Sequence, residues 1–397
     1  MICSFFHKKR LVPASILMIL LAGVSAYSFY MIGRISSLQE SKTTKSIGAA
    51  WEDVVGADSS WIVSLSTFLT PLGAALTYSI ILGDMLSALA QSAGLAGVLA
   101  KRQTSIVGIT AAVLYPLCHL SSLAALAPIS IVGVIGMMMT SLFMVFRSIP
   151  GGKYCAVTGG SFLSTIAPSL QPSFGIVGNN AYSRSILILV SMAATSFLAH
   201  FSAHDFCDGL KDKSLKRFGT MTGLGFGITV LINIIVMASG FCTFGGNCQG
   251  MILNNYSGKD IGATLCRMIV TVSLIGSYPI FIRGVKSSFY ELAMKGKEIS
   301  KSMDKKVTNL TLGALTAAAM VLKDAGVMVS LTGAILGSAI IYSFPSIIFL
   351  KLTKRLMAEG KMKKTFGLSA ERFFNKILVV TGGVLAVLGT AVTLGML

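Results

Sequence analysis

The chain has 397 residues, of which 53% are hydrophobic and only 12% are charged, whereas soluble proteins average about 25% charged residues. Its formal net charge of +18 would suggest nucleic acid as the partner of a soluble protein. Here the basic residues cluster in short loops between long apolar blocks, which is typical of membrane proteins and disfavours nucleic acid. The composition therefore predicts an all-α integral membrane protein.

The apolar blocks predict about ten membrane-spanning helices. A span needs about 20 apolar residues, and its backbone groups must pair within their own segment because lipid offers them no partners. The predicted spans lie at residues 11–33, 60–90, 104–120, 122–147, 184–205, 219–244, 261–288, 307–324, 326–350 and 373–396. We expect them to form one transmembrane domain covering residues 1–397.

The segments between the spans are polar or basic. We expect a polar connector at 34–59, an outer loop rich in Gly, Ser and Pro at 148–183, and basic cytosolic loops, helical at the membrane surface, at 289–306 and 351–372. With residues 34–59 in the cytosol, the loops on that side carry 22 Lys and Arg and those on the other side carry 9. The positive-inside rule favours this orientation.

The first apolar segment has two interpretations. A basic cluster at residues 7–10, an apolar run and small residues at Ser25 and Ala26 are also typical of a secretory signal peptide. The apolar run, however, continues to Gly33, which is longer than a usual signal core. We therefore interpret residues 11–33 as a span.

Two charged residues lie within predicted spans. Asp84 and Arg267 fall at similar depths near the outer side, and an unpaired charge in lipid costs several kcal/mol. We expect them to face the protein interior and to approach each other as a gate pair. The alternative is that both side chains extend to the outer membrane interface.

Five stretches of sequence, in chain order, carry a family resemblance. They are SAYSFYMIGR at 25–34; SWIVSL at 60–65 with YSIILGD at 78–84; FLAHF at 197–201 with residues 210–212 and 216–218; FGGN at 244–247 with ILNNYS at 252–257; and SLTGA at 330–334 with residues 337–339 and 344–345. Together they resemble the amino acid/auxin permease family, particularly its algal and protist members.

The resemblance implies the leucine-transporter fold, in which eleven helices form two inverted repeats of five. Residues 11–33 look like the second helix of the family, so the first helix is expected to be missing. In that fold the first and sixth helices break at the middle of the bilayer and bind substrate and ion. Either a truncated gene model of a transporter or a natural, transport-inactive sensor or interaction protein would explain the missing helix.

Residues 191–208 match the broken sixth helix of the family. The resemblance implies that Ser191, Thr195, Ser196, Ala199 and His200 contact substrate, because small and hydroxyl residues allow a helix to unwind. Packing of neighbouring helices is the alternative explanation of the small residues. His200 is either a proton-sensing group or a neutral side chain bonded to a backbone carbonyl.

Two further helices carry polar candidates. Thr77 and Tyr78 match the third helix of the family and are expected to line the substrate pathway, although helix packing is an equal alternative. Thr271, Ser273 and Ser277 match the eighth helix, which helps to form a sodium site in sodium-coupled relatives, and hydroxyl oxygens suit a hard cation.

Metal binding and enzyme chemistry are disfavoured. His200, His204 and Asp208 share one helix face and have a spacing that metal ligands use, but the chain has only four histidines. No HExxH, GxSxG or histidine-rich motif supports a membrane enzyme. We expect no cofactor and no metal.

The sequence and the resemblance together predict a secondary active transporter. Its substrate would be an amino acid or a similar small solute, moved by alternating access and coupled to H+ or Na+. The expected location is the plasma membrane or the vacuolar or lysosomal membrane of a eukaryote, and the chain gives no indication of oligomeric state.

Overall fold

A computed structural model describes residues 2–39, 46–120, 127–155, 158–174, 179–210, 214–294 and 300–396. Within these ranges the chain is helical, and its β-structure is limited to one isolated bridge between Ser173 and Gly245. The α-helices are α1 (Ile2–Leu38), α2 (Ile47–Val54), α3 (Ser60–Ser92), α4 (Arg102–Ile109), α5 (Tyr115–Cys118), α6 (Ala127–Arg147), α7 (Asn179–Ser196), α8 (Ala203–Gly209), α9 (Leu215–Phe244), α10 (Ile261–Met294), α11 (Lys301–Val321), α12 (Ala325–Thr332), α13 (Phe344–Ala358) and α14 (Phe366–Thr393).

The predicted all-helical membrane fold is confirmed. Six helical stretches in the described ranges are long and apolar enough to cross a bilayer: Leu11–Leu38, Ala57–Ser92, Leu215–Phe244, Ile261–Ala293, Ala325–Ala358 and Phe366–Thr393. Shorter apolar helices cover Ile131–Arg147 and Ile186–Ser202. Two segments of π-helix, Thr110–Leu114 and Gly333–Ser343, join α4 to α5 and α12 to α13 without a break.

Several helices extend beyond the predicted spans. The stretch predicted at 326–350 continues to Ala358, and α14 begins at Phe366 rather than at residue 373. Hydropathy marks only the part of a helix that lies in hydrocarbon, whereas polar caps set its ends. Thr365, for example, accepts a hydrogen bond from the backbone N–H of Leu368 at the start of α14.

Parts of the predicted loops fall outside the described residues. These parts are 40–45 in the polar connector, 156–157 and 175–178 in the outer loop, and 295–299 in the first basic loop; residues 122–126 of the fourth predicted span also lie outside. In the connector the described part contains the short helix α2, whose N-terminus is capped by Ser46.

Helices α3 and α10 pack along each other and form the centre of one half of the bundle. Tyr278 of α10 is 1% exposed, and its hydroxyl lies 2.9 Å from that of Ser79 on α3. Apolar residues of α4, α5 and α11 surround this contact. A buried hydrogen bond between hydroxyl groups fixes the register of the two helices because neither group has water as a competing partner.

The other half is built on α1, which packs against α7 and α9. Phe29 of α1 stacks on Phe218 of α9 with ring centroids 5.3 Å apart. A Cβ on Gly33 would lie 2.5 Å from the Phe218 ring, so this position needs glycine for close approach of the two helices. At the same end Arg34 pairs with Glu371 of α14 at 2.6 Å.

A buried ionic network attaches the outer loop to the bundle. Asp260, only 1% exposed, accepts two hydrogen bonds from Arg147, at 2.8 and 2.7 Å, and one from the hydroxyl of Tyr154 at 3.2 Å. Burial raises the pKa of the Tyr154 phenol, so it stays protonated and can donate to the carboxylate. The same phenol oxygen accepts the backbone N–H of Ser257.

We predict that Asp260→Asn lowers the free energy of unfolding by about 3–5 kcal/mol, because it leaves the Arg147 guanidinium without its counter-charge in a buried site. Thermal unfolding of the purified protein in detergent measures the effect. The matched control is Asp58→Asn on an exposed position, which should change stability by less than about 0.5 kcal/mol. Equal stabilities of the two variants would contradict the structural role of the network.

Candidate functional site

The helix that begins at Asn179 is broken at the predicted position. Helix α7 ends at Ser196, residues 197–199 are not helical, and a short 3-10 turn at His200–Ser202 leads into α8. Ala199 has φ −114° and ψ 0°, outside the α-helical region. Such a break exposes backbone polar groups, and inside a membrane they are tolerated only where other protein segments or a cavity surround them.

His200 lies at the break, fully buried against α1. Its Nε2 is 3.1 Å from the carbonyl oxygen of Ser25, and a carbonyl only accepts, so Nε2 carries the hydrogen. Its ring packs edge-on against Phe29 with centroids 5.6 Å apart. The Nδ1 atom is buried and has no hydrogen-bond partner among the described residues. Of the two interpretations given for His200, this geometry matches the neutral side chain bonded to a backbone carbonyl. The Nδ1 atom remains an acceptor without a hydrogen-bond partner among the described residues.

The small and hydroxyl residues before the break allow α7 to pack closely against the π-helix Gly333–Ser343. A Cβ on Gly333 would lie 1.8 Å from the carbonyl oxygen of Ser191 and 2.5 Å from the hydroxyl of Thr195. The Thr195 hydroxyl donates to the carbonyl of Val329 at 2.6 Å, and the Ser191 hydroxyl donates to Leu187 within its own helix. In this structure both hydroxyls therefore have protein partners, as the packing alternative requires.

Ser196 and Ala199 line a separate cavity of about 260 Å³ between α7 and α9. Its walls are mostly aromatic and apolar and include Phe29, Phe197 and Phe226. The amide of Asn233 donates to the hydroxyl of Ser196 at 2.8 Å. Sequence reasoning singled out the two small residues but not the aromatic rings around them, because these rings come from α1, the break and α9, which are distant in sequence.

Thr77 and Tyr78 do not share that cavity. The Thr77 hydroxyl donates to the carbonyl of Gly73 within α3, and the Tyr78 ring packs edge-on against Phe281 of α10 at 4.9 Å. Helix α12 contacts both α3 and α7, since a Cβ on Gly73 would lie 2.8 Å from the hydroxyl of Thr332. Helix α12 therefore lies between α3, which carries Thr77 and Tyr78, and α7, which leads into the break.

The three hydroxyl residues predicted to hold an ion follow one another along α10. Thr271 donates to the carbonyl of Arg267 at 2.7 Å and Ser277 to that of Ser273 at 2.9 Å. Ser273 packs against α6, because a Cβ on Gly133 would lie 2.5 Å from its hydroxyl oxygen. After donating its hydrogen, each hydroxyl oxygen still has lone pairs that can coordinate a cation. Ion binding by these residues is compatible with the geometry and stays a prediction.

The expected direct pairing of Asp84 with Arg267 is wrong. Asp84 pairs with Arg102 at 2.7 Å, whereas one nitrogen of Arg267 donates to the carbonyls of Leu253 and Tyr256 at 2.8 and 2.5 Å. Both side chains nevertheless line the same outer cavity, of about 630 Å³, and Arg267 is only 2% exposed. They face the protein interior rather than the membrane interface.

Arg102 was missed as the partner because it precedes the predicted span at 104–120 and looked like an ordinary loop residue. In the fold it also donates to the carbonyls of Ala319 at 2.8 Å and Leu322 at 3.0 Å. These carbonyls end helix α11, where a cation is favourable. Arg102 thus joins α3, α4 and α11 at the end of the bundle that is predicted to be the outer one.

A multi-pass helical bundle with a broken helix buried at its centre defines a membrane transporter by class. The chain belongs to the family described as transmembrane amino acid transporter protein, whose sequence profile matches residues 6–394. This confirms the predicted resemblance, the multi-pass membrane location and the prediction of a transporter rather than an enzyme. The algal or protist type and the missing first helix stay predictions.

Curated relatives agree with the family. The chain is 25% identical over 349 residues to a Danio rerio protein named "Putative sodium-coupled neutral amino acid transporter 11", covering 87% of this chain and 73% of that protein. It is 22% identical over 399 residues to the amino acid transporter AVT6E of Arabidopsis thaliana, covering 96% and 76%. A Bos taurus protein with the same name as the Danio rerio relative is 24% identical over 298 residues, covering 74% and 60%.

We predict that Gly333→Ala destabilises the protein by about 1–3 kcal/mol, because the new methyl group forces α7 away from the π-helix. Gly383→Ala in α14 is the matched control, since a Cβ there meets nothing within 4 Å. Thermal unfolding in detergent compares the two variants. If Gly333→Ala were as stable as Gly383→Ala, the close approach of the two segments would be disproved.

We predict that Asp84 is energetically coupled to Arg102 and not to Arg267. In a double-mutant cycle with Asp84→Asn and Arg102→Gln, the coupling should be about 1–3 kcal/mol, as for other residues in direct contact. The cycle with Arg267→Gln should give a smaller value. Both coupling energies are obtained from the free energies of unfolding of the single and double variants. A larger coupling of Asp84 to Arg267 than to Arg102 would contradict the structure and support the pairing predicted from the sequence.

Proposed function

We propose that the protein moves small neutral amino acids across a membrane by secondary active transport with alternating access, coupled to Na+ or H+. The observation that carries the proposal is the break at residues 197–199, packed between α1 and the π-helix Gly333–Ser343. The N–H groups of residues 197, 198 and 199 donate to the carbonyls of Ala193, Thr195 and Phe197. The break would therefore bind substrate through its carbonyl oxygens, which keep lone pairs and suit the amino group of an amino acid. The names of the relatives support the choice of substrate class.

The two halves of the bundle suggest how access would alternate. Helices α3 and α10 are joined by extensive packing and the buried Ser79–Tyr278 hydrogen bond, which suits a scaffold. The broken helix instead meets α12 and the π-helix through small residues, which suits sliding because few side chains interlock. Rocking of the broken-helix side against α3 and α10 would open the break to one face of the membrane at a time.

The coupling ion has two candidate binding places in the chain. Hydroxyl oxygens are available to Na+ on two faces of α10: Thr271 lies on one face, and Ser273 and Ser277, one turn apart, lie on the other. A single ion could therefore be bound by only one of these two sets. His200 has an unoccupied Nδ1, but full burial disfavours a charged imidazole, so a proton would bind there only in a conformation that opens the break to water. We propose that one of these two places senses the ion gradient.

Uptake of radiolabelled alanine and glutamine into proteoliposomes tests the transport function. We predict uptake that depends on an imposed Na+ or pH gradient and stops when an ionophore dissipates the gradient. A folded, monodisperse protein that takes up no amino acid under either gradient would contradict the proposal.

Variants at the two candidate places separate the coupling ions. If Na+ drives uptake, either Thr271→Val or the double variant Ser273→Ala, Ser277→Ala should raise the Na+ concentration for half-maximal uptake, because the ion loses an oxygen ligand. Thr220→Val is the control, since Thr220 makes the same bond to the carbonyl four residues before it but lies on an exposed surface. If H+ drives uptake, His200→Gln should abolish the pH dependence while its side-chain amide still donates to Ser25.

A further inference from the structure

A second large cavity, of about 680 Å³, lies at the opposite end of the bundle from Asp84, between α5, α10 and α11. The predicted orientation places this end at the cytosolic side. Four cationic residues and one acidic residue line it: Arg283, Lys286, Lys301, Lys305 and Asp304. The broken helix does not contribute to the lining, so this cavity is separate from the proposed transport pathway.

Among the residues of the lining that the structure describes, the charges do not balance. Asp304 accepts a hydrogen bond from Lys286 at 2.9 Å and one from the hydroxyl of Tyr290, also at 2.9 Å, and its single charge neutralises Lys286. The other three cations have no ion pair and no hydrogen bond to any residue that the structure describes. These three residues are solvent-exposed, so water screens their mutual repulsion, and their excess of about three positive charges attracts an anion from solution.

The depth of the cavity matches that of phosphate groups in a bilayer. Helix α10 has 34 residues and is therefore about 51 Å long, whereas the hydrocarbon layer is about 30 Å thick. Arg283 and Lys286 follow the first residue of α10 by more than 20 positions, or about 33 Å. With the start of α10 at the outer interface, these two side chains emerge at the opposite headgroup layer.

The remaining polar groups of the lining suit a ligand that carries both phosphate and hydroxyl groups. The Nδ1 of His119 donates to the carbonyl of Tyr115 at 2.8 Å. Its Nε2, which is buried without a hydrogen-bond partner among the described residues, is therefore an acceptor and suits a hydroxyl group of the ligand. Lys301 and Lys305 stand in the first turns of α11, where the helix dipole is positive. An ammonium or guanidinium group binds phosphate more strongly than it binds a neutral acceptor.

We propose that this cavity binds a multiply phosphorylated polyol, presented either as the headgroup of an anionic lipid or free in solution. A phosphomonoester carries about −1.5 to −2 charges at pH 7, so two of them match the excess positive charge. The volume of the cavity lies within the usual range for small-molecule sites, about 300–1,000 Å³. Basic cavities between membrane helices at the cytosolic side bind such headgroups by the same chemistry.

The test uses the purified full chain in detergent and three probes. These are dioctanoyl phosphatidylinositol 4,5-bisphosphate, inositol 1,4,5-trisphosphate without acyl chains, and dioctanoyl phosphatidylcholine. Native mass spectrometry gives the stoichiometry and the affinity, and thermal unfolding gives an independent measure because a ligand that binds the folded state raises the Tm. We expect one bound bisphosphate lipid per chain and no saturable binding of the phosphatidylcholine.

The cavity variant is Arg283→Gln, Lys301→Gln, Lys305→Gln. It should weaken binding by roughly tenfold or more, since each cation near a phosphate contributes substantially. The control, Lys351→Gln, Lys354→Gln, Lys364→Gln, removes the same charge from exposed positions on the predicted cytosolic side and should change the affinity by less than about twofold. If the cavity variant does not yield monodisperse protein, the double variant of Lys301 and Lys305 at the exposed start of α11 takes its place.

The outcomes separate the two sources of the ligand. Binding of the lipid alone identifies a membrane lipid as the source, and comparable binding of inositol trisphosphate identifies the phosphorylated headgroup itself. An equal loss of affinity in the cavity and control variants would overturn the proposal, because it would show attraction to the whole basic surface. Absence of saturable binding by either phosphorylated probe would overturn it as well.

Discussion

In the hydrocarbon interior of a bilayer, every backbone N–H and C=O must find its partner within the protein, and this condition governs the broken helix α7–α8. The break at residues 197–199 is enclosed by α1 through the bond between His200 and Ser25. The π-helix encloses it from another side, since Ile341 and Tyr342 belong to the apolar cluster against which Leu198 packs. The π-helix is itself an irregular backbone. Two irregular segments therefore lie against each other, where neither is left in contact with lipid.

The ionic networks around Asp84 and Asp260 follow the same condition, whereas two guanidinium nitrogens of Arg267 are buried without a hydrogen-bond partner among the described residues. Arg102 satisfies Asp84 and two carbonyls at the end of α11, and Asp260 satisfies Arg147, Tyr154 and the backbone N–H of Gly262. Each charged group thereby joins segments that are distant in sequence. Because a lone charge in such a site is costly, these networks fix how the loops and helix ends attach to the bundle.

Sequence reasoning predicted the parts of this structure that depend on local pattern. Long apolar runs determine where helices cross lipid, because hydropathy belongs to neighbouring residues. The break was predicted from the resemblance of residues 191–208 to the broken sixth helix of the family, since the small residues between Ser191 and Ala199 alone are also compatible with helix packing. The pairing of Asp84 depends instead on which helix end lies beside α3. Arg267 has a similar predicted depth, but its guanidinium is taken by the carbonyls of Leu253 and Tyr256 from a loop whose path no pattern reveals.

Helix ends and π-helices were harder to predict than apolar spans, because they also depend on contacts between segments that are distant in sequence. The π-helix at Gly333–Ser343 interrupts no apolar run, so hydropathy shows one span from α12 to α13. The π-helix is distinguished by the close approach of Gly333 and Gly337 to α7. These contacts exist only in the folded chain. Glycine in an apolar span is compatible with ordinary packing as well, so the sequence alone does not distinguish the two.

The two proposals assign different tasks to the two halves of the bundle. The basic cavity belongs to α5, α10 and α11, which pack with α3, whereas the break belongs to the side built on α1 and α7. A phosphorylated headgroup bound between α10 and α11 would hold the ends of these two helices together by its charge and fix the α3–α10 half at the membrane surface. A transporter that rocks one half against the other needs one half held still. Such a ligand would therefore act on transport without contacting substrate, by favouring the conformations in which α10 and α11 keep their spacing.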